Sequence, residues 1–237
     1  RGSPCLLYMK ELIDTGYIGE VMACHISLIR GGVLQSHSNG SWQRDPALGA
    51  STLARACGHT SDALRFIVGD FSHVSAVVST QARQWLEVDT QRLVDVSSPD
   101  NILISGKLRN GGVASVHVAY IPWAGSGLRI EIYGQKGTLI STGDDAPQIK
   151  QIRLQGMNAN DCGLKDMEIP KRHRYVTDGT PKSEPVNVGQ MYHLFAKSIR
   201  SGEECSPNFD TAVELYKFLN TVQASSDSGS ELQVQLN

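Results

Sequence analysis

The sequence predicts an α+β domain built as an open, mainly antiparallel β-sheet with helices on one face. Three observations support this prediction: helical spacing of apolar residues near both ends of the chain, a central run of segments rich in β-branched residues, and glycine turns between those segments. Two of the turns, at residues 109–112 and 134–137, are typical of hairpins. The strands that they join are therefore expected to be antiparallel neighbours.

The elements are expected in the order helix, strand, helix, several strands, two helices and a short final strand. Helical spacing marks "CLLYMKELID", "STLARACGHTSDALRFIVGD", "VGQMYHLFAKSIRSG" and "NFDTAVELYKFLNTVQASSDSG". Strand patterns mark "VMACHISLIR", "HVSAVVSTQAR", "NILISGKLRNGGVASVHVAYI", "LRIEIYGQKGTLISTG", "QIKQIRLQ" and "ELQVQL". Two stretches, "GGVLQSHSNGSWQRDPALGA" and residues 158–187, are expected to be loops because they are polar or proline-containing.

Composition excludes several classes of function. The 237 residues are 40% hydrophobic and 19% charged, with a net charge of −2, which is typical of a globular domain and gives no basis for nucleic-acid binding. No apolar run approaches the length of a membrane span. Five scattered cysteines have no metal-ligand spacing, so we expect no metal and a reducing, cytoplasmic setting. The chain begins at Arg1 rather than Met, which suggests a longer parent.

The second helical segment carries the principal candidate site. Its apolar residues form one stripe that packs the helix, while Arg55, His59 and Asp62 recur at intervals of four and three residues and so share another face. That polar face either meets water or lines a site. A histidine in a site suits proton exchange, because its ordinary pKa is near 6.5. The structural alternative is that His59 hydrogen-bonds Asp62 or a loop carbonyl.

Two tryptophans are candidate walls of a sugar-binding cleft. Trp42 lies in a polar loop, where a large aromatic side chain needs a reason to be, and Trp123 follows Pro122. Trp123 could equally belong to a core or an interface. His25 and His117 lie in strand patterns and are expected to be core or interface groups.

No strand–GxGxxG–helix unit or P-loop occurs in the sequence. We therefore expect one domain over residues 1–237, without a dinucleotide-binding Rossmann domain.

Several segments, taken in order, resemble one known family. These are "ELIDTGYIGEV", the Trp42-x-x-Asp45 loop, "GASTLARACGHTSD", "IEIYGQKGTLI", "GEECSPNFDTAVE" and "ASSDSG". Together they resemble the C-terminal substrate and oligomerisation domain of the Gfo/Idh/MocA oxidoreductases. The stretch "GHTSDALRFIVGD" is also similar to the fungal galactose-regulon repressors, a branch that binds a dinucleotide and a partner protein without known turnover.

The resemblance implies a missing N-terminal Rossmann domain that binds NAD or NADP, whereas this chain alone is expected to bind neither. It implies a homo-oligomer formed through the open face of the sheet, and a sugar or cyclitol as substrate. His59 falls on the family's catalytic histidine, and Arg55 stands where the family has a carboxylate. Arginine stays protonated and cannot act as a base, but it can clamp a carboxylate or phosphate. The remaining expected substrate contacts are Asp62, Trp42, Asp45 and Trp123.

Two functions stay open at this point. The first is the substrate-binding and dimerising domain of an NAD(P)-dependent oxidoreductase acting on a secondary alcohol, which His59 favours. The second is a non-catalytic, dinucleotide-sensing regulator that binds a partner protein, which Arg55 favours. A purely structural dimerisation module is a third reading.

Overall fold

A computed structural model describes residues 1–49 and 51–235. Its four α-helices are α1 (Pro4–Asp14), α2 (Gly58–Val68), α3 (Glu184–Ser201) and α4 (Phe209–Ser228). The strands are β1 (Val21–Arg30), β2 (Gln35–Ser36), β3 (Phe71–Ser79), β4 (Gln84–Glu87), β5 (Arg92–Asp95), β6 (Asn101–Leu108), β7 (Val113–Tyr120), β8 (Gly127–Gly134), β9 (Gly137–Gly143), β10 (Arg153–Asn158), β11 (Lys165–Asp166) and β12 (Leu232–Gln233).

Nine strands form the main sheet, in the order β11-β10-β9-β8-β1-β7-β6-β3-β12. All neighbours are antiparallel except β1 and β7, which are parallel. Both expected hairpins, β6–β7 and β8–β9, are confirmed. Because β1 and β7 run in the same direction, their carboxyl ends meet at one edge of the sheet, where Arg30 pairs with Tyr120.

The core lies between one face of the sheet and a layer that contains α1, α2 and α4. Helix α1 begins with Pro4, whose fixed φ suits a first helical turn, and buries a stripe that includes Leu6, Met9 and Leu12. On α4, the fully buried ring of Phe218 stacks on Phe71 of β3, with 5.3 Å between ring centroids. The expected mainly antiparallel sheet with helices on one face is therefore confirmed.

Helix α4 shows how local sequence sets an element boundary. The Asn208 side chain accepts a hydrogen bond from the backbone N–H of Thr211 (2.9 Å), and the hydroxyl oxygen of Thr211 accepts one from the backbone N–H of Asn208 (3.3 Å). This reciprocal capping box satisfies two N–H groups that the first helical turn leaves unpaired. Gly229 ends the helix in a left-handed conformation (φ 65°), which glycine adopts without strain.

A second, three-stranded sheet differs from the sequence prediction. Strands β2, β4 and β5 pair in the order β2-β4-β5, with β2 parallel to β4. Strand β2 lies in a segment that the sequence predicted as a loop, and β4 and β5 lie in residues 84–100, for which no element was predicted. Strands of two to four residues are too short to show a clear alternation, and this is why they were missed.

The helix that carries the candidate site also differs from the prediction of one regular helix. Residues Leu53–Cys57 form a π-helical turn, marked by a hydrogen bond from the backbone N–H of Cys57 to the carbonyl of Thr52 (2.9 Å), and α2 follows from Gly58. The wider turn changes the angular position of Arg55 relative to His59 and Asp62. Turns of this kind are frequent at functional sites.

The opposite face of the main sheet carries no helix packed on it in the described part of the chain. Its central strands expose Val77, Leu103, Val113 and Tyr133 beside the half-buried His25 and His117. None of the described helices combines the length and hydrophobicity needed to cross a membrane.

Candidate functional site

A cleft of about 470 Å³ opens where the main sheet, the small sheet and the π-helical turn meet. The parallel pair β1 and β7 delivers Arg30 and Tyr120 to it, and the turn and α2 deliver Arg55 and His59. The rest of the lining is Gly31, Gly32, Val33, Gln35, Ser36, Gly40, Gln43, Ser51, Thr52, Ala56, Trp85, Ser98, Asp100, Gln148 and Ile149.

Two partners, Asp145 and Tyr120, hold the Arg30 side chain in place in the lining of the cleft. Its Nε donates to Asp145 Oδ1 (2.6 Å) and its Nη1 donates to the Tyr120 hydroxyl (2.5 Å), while its guanidinium lies 5.6 Å from the centre of the Tyr120 ring. Burial alone would lower the pKa of Arg30, but Tyr120 and Asp145 outweigh it and raise that pKa. Arg30 is therefore a rigid, charge-compensated part of the wall.

Asp100 is the acidic residue of the lining. It is 3% exposed, and its carboxylate accepts hydrogen bonds from the backbone N–H groups of Gln81 (3.0 Å) and Ala82 (2.6 Å). These bonds stabilise a buried carboxylate and hold the loop before β4 against the main sheet. Asp100 thus connects the small sheet to the cleft.

Arg55 and His59 both line the cleft and are both exposed. One guanidinium nitrogen of Arg55 donates to Gln43 Oε1, a neutral acceptor. The His59 ring has no hydrogen-bond partner among the described residues, so both ring nitrogens are available to a ligand. The structure therefore brings Arg55 and His59, the principal site residues predicted from the sequence, into the lining of one cleft.

The electrostatic surroundings of His59 favour its neutral form. Desolvation by the cleft walls lowers the pKa of the ring below its ordinary value. The positive charges of Arg55 and Arg30 lower the pKa further, whereas Asp62 acts in the opposite direction. A neutral imidazole can accept a proton from a hydroxyl group near pH 7.

Four residues expected at the site lie outside the cleft lining of the described chain. The Asp62 carboxylate is bound by Arg1, and the Asp45 carboxylate accepts from the backbone N–H of Ala47 (2.9 Å), capping the short helix Pro46–Leu48. Trp42 is 44% exposed and Trp123 is 82% exposed. As substrate contacts these four residues stay predictions.

Trp85 also lines the cleft, and sequence reasoning missed it. It comes from β4 of the small sheet, whose four residues gave no recognisable strand pattern. Its buried indole N–H has no hydrogen-bond partner in the part of the chain that the structure describes. The available signal was a tryptophan in the otherwise mostly polar segment "RQWLE".

The fold and cleft define a class of protein: a domain of mixed helices and mainly antiparallel sheet, with a polar cleft at the carboxyl ends of its one parallel pair of main-sheet strands, β1 and β7. Residues 10–236 match the model of the oxidoreductase family, C-terminal alpha/beta domain. The chain belongs to this family, known as Gfo/Idh/MocA.

Two kinds of protein are similar in sequence to this chain. Levoglucosan dehydrogenase of Pseudarthrobacter phenanthrenivorans is 23% identical over 229 residues, which cover 88% of this chain and 58% of that protein. The galactose/lactose metabolism regulatory protein GAL80 of Kluyveromyces lactis is 29% identical over 167 residues, which cover 61% of this chain and 34% of that protein. The chain thus spans only part of the length of these relatives.

The same two kinds appear among solved structures. Levoglucosan dehydrogenase in complex with NADH superposes with a TM-score of 0.84 at 20% identity, covering 100% of this chain and 64% of that one. A super-repressor mutant of Gal80p from Saccharomyces cerevisiae gives 0.81 at 22% identity, covering 98% and 62%. At these identities the likeness establishes the fold alone.

Proposed function

We propose that this chain is the substrate-binding and dimerising domain of an NAD(P)-dependent oxidoreductase that acts on a secondary alcohol of a sugar or cyclitol. The observation that carries the proposal is the cleft in which Arg55 and His59 meet. One of the sequence relatives is a levoglucosan dehydrogenase, and this supports a sugar or cyclitol as the class of substrate.

His59 is the proton-transfer residue in this proposal. Its neutral ring, with both nitrogens free, takes the proton of the reacting hydroxyl as the alcohol carbon is oxidised. Arg55 supplies a fixed positive charge that orients the substrate. Asp62, Asp45, Trp42 and Trp123 are not needed for this step.

The nicotinamide would accept the hydride when it is bound. The described residues contain no glycine-rich turn between a strand and a helix that could cradle a dinucleotide phosphate. We therefore assign the cofactor to a further, N-terminal domain of the full-length protein and derive no step through it.

Exposed apolar stripes support the presence of such a domain. Val188, Tyr192, Phe195 and Ile199 repeat at helical spacing on α3, and each is more than half exposed. Phe209 begins α4 and is 91% exposed. Apolar surface of this extent is rare on a monomer and is typical of contact surfaces.

Dimerisation through the open face of the main sheet is the second half of the proposal. Val77, Leu103 and Val113 are 57%, 46% and 54% exposed on neighbouring strands of that face. A second copy of the chain would remove these side chains from water. The five cysteines are all unpaired, which supports a reducing compartment such as the cytoplasm.

The test uses the full-length protein with NAD and NADP and a panel of sugars and cyclitols. We expect NAD(P)H formation with at least one of them, and a loss in kcat of about 100-fold or more in His59→Ala. His73→Asn, on β3 at the far end of the sheet, is the matched control and keeps full activity. Turnover that survives His59→Ala contradicts the assignment of the histidine.

A regulator is the second candidate, because Arg55 stands at the carboxylate position and because GAL80 proteins are among the relatives. In that case the full-length protein binds a dinucleotide without oxidising any sugar, and its cleft and surfaces bind a partner protein. Dinucleotide binding measured by calorimetry, together with absence of turnover across the whole panel, would favour this function over the enzyme.

A further inference from the structure

The charged side chains that line the cleft differ in their partners. Arg30 forms an ion pair with Asp145, and the carboxylate of Asp100 accepts hydrogen bonds from two backbone N–H groups of the loop before β4. The neutral N–H groups stabilise the negative charge of Asp100 but do not remove it. Arg30 and Asp100 therefore have their partners within the protein.

Arg55 is a cation without an anion. Its side chain is exposed in the cleft and forms no ion pair within the described residues, since its hydrogen-bond partner is the neutral amide of Gln43. A guanidinium presents five N–H donors in a planar fork, and the bond to Gln43 uses one nitrogen. The remaining donors match the geometry of a carboxylate or phosphate.

The start of the helix adds to the positive potential. Ser51 and Thr52 line the cleft immediately before the π-helical turn, so the amino-terminal end of the combined helix faces the bound molecule. The backbone dipoles of a helix favour negative charge at this end. This contribution reinforces Arg55 and does not replace it.

Trp85 offers an apolar surface in the same cleft. Trp85 of β4 lines the cleft together with Arg30 and Tyr120 of the main sheet. An indole face can cover the C–H surface of a sugar ring.

We propose that the cleft selects a sugar that carries an oxyanion, with Arg55 binding the oxyanion and Trp85 covering the sugar ring. The oxyanion is a carboxylate, as in a uronic or aldonic acid, or a phosphate ester. This inference rests on the proposed function and narrows its substrate class. It also makes Trp85, rather than Trp42 or Trp123, the aromatic wall of the cleft.

The test is an NMR titration of the 237-residue chain that follows the indole N–H signals of its three tryptophans and the ring signals of His59. The ligands are D-glucuronate, D-glucose 6-phosphate and neutral D-glucose, at constant ionic strength, with acetate as the control for the anion alone. Trp85→Phe assigns the Trp85 signal, and Trp42 and Trp123 serve as internal controls.

We expect at least one of the two charged sugars to shift the Trp85 and His59 signals at a concentration tenfold or more below that of glucose. Arg55→Gln should abolish this difference, and Arg55→Lys should retain part of it because the charge remains. Whether glucuronate or glucose 6-phosphate binds more tightly distinguishes the carboxylate from the phosphate.

Two other outcomes separate the inference from the function on which it rests. Equal binding of glucose and both charged sugars overturns the oxyanion selectivity and leaves a sugar cleft in place. Shifts by acetate equal to those by glucuronate, or no shift with any sugar, overturn both the inference and the proposed sugar substrate. Shifts confined to Trp42 or Trp123 overturn the role of Trp85.

Discussion

The guanidinium of Arg1 binds both carboxylate oxygens of Asp62, with Nε 2.9 Å from Oδ2 and Nη2 2.7 Å from Oδ1. The two residues are 61 positions apart, and both side chains are about four-fifths buried. The same guanidinium lies 5.4 Å from the centre of the Phe66 ring, one turn further along α2. Arg1 thus ties the segment before α1 to α2 through Asp62.

Asp62→Asn is expected to destabilise the domain without weakening ligand binding in the cleft. The substitution removes the anion from a bidentate, partly buried pair, which costs about 1–2 kcal/mol in the free energy of unfolding. Urea denaturation measures the loss. Asp166→Asn is the matched control, because the Arg153–Asp166 pair is about 60% exposed on both sides and should contribute less than about 0.5 kcal/mol.

A different result would restore Asp62 as a substrate contact. If Asp62→Asn keeps the urea midpoint of the wild type and reduces the affinity for charged or neutral sugars, the carboxylate acts on the ligand rather than on Arg1.

Gly106 is expected to tolerate no side chain. It lies on β6 beside an irregularity in β3 between Phe71 and His73, and a Cβ atom at Gly106 would sit 2.0 Å from the carbonyl oxygen of His73. Since that oxygen belongs to the backbone, β3 and β6 would have to separate. We expect Gly106→Ala to cost about 2–3 kcal/mol.

Gly163→Ala is the control for this prediction, because a Cβ atom there meets no atom within 4 Å. The two variants are compared by their urea midpoints at equal m-value. Equal midpoints for both would show that the β3–β6 pair is looser than the structure indicates.

The open face of the main sheet is expected to hold two copies of the chain together. Leu103→Glu and Val113→Glu each place a charge among exposed apolar side chains on adjacent strands, and should shift the protein from dimer to monomer in sedimentation velocity. Leu93→Glu is the control, since Leu93 is 66% exposed on the small sheet. A wild-type monomer at micromolar concentration, or a dimer unaffected by both substitutions, contradicts this surface as the interface.

The parts of this fold that sequence reasoning predicted depend on local chemistry, and the parts that it missed depend on distant contacts. The β6–β7 and β8–β9 hairpins follow from glycine turns of a few residues, and the start of α4 follows from Asn208. Strand β1 lies between β7 and β8, and its residues pair with residues 90 positions later in β7 and 98 to 113 positions later in β8, so this arrangement leaves no local mark in the sequence.

The residues of the candidate site also divide into those that local spacing predicted and those that distant contacts determine. Arg55 and His59 were found because they are four residues apart on one segment, and they line the same cleft. Trp85 was missed because it enters the cleft from a strand of four residues in a second sheet. Asp62 has the right helical spacing for the site, but Arg1, 61 residues away, binds its carboxylate.

The pKa of His59 is expected to rise when Arg55 is removed. In the folded chain, desolvation and the positive charges of Arg55 and Arg30 lower that pKa, and each favours the neutral ring. Arg55→Gln removes one of these charges, so the ring should titrate at a higher pH than in the wild type. Arg129→Gln, on β8 outside the cleft lining, is the control with the same change in net charge.

The sign of this shift has a consequence for stability. Because the folded pKa of His59 lies below its unfolded value near 6.5, the unfolded chain binds more protons as the pH falls through 6.5, and folding stability declines. Arg55→Gln should make the decline between pH 7.5 and 5.5 shallower, as measured by urea midpoints. NMR titration of the ring gives the pKa directly, and an unchanged or lower value in Arg55→Gln would show that Arg55 does not set the potential at His59.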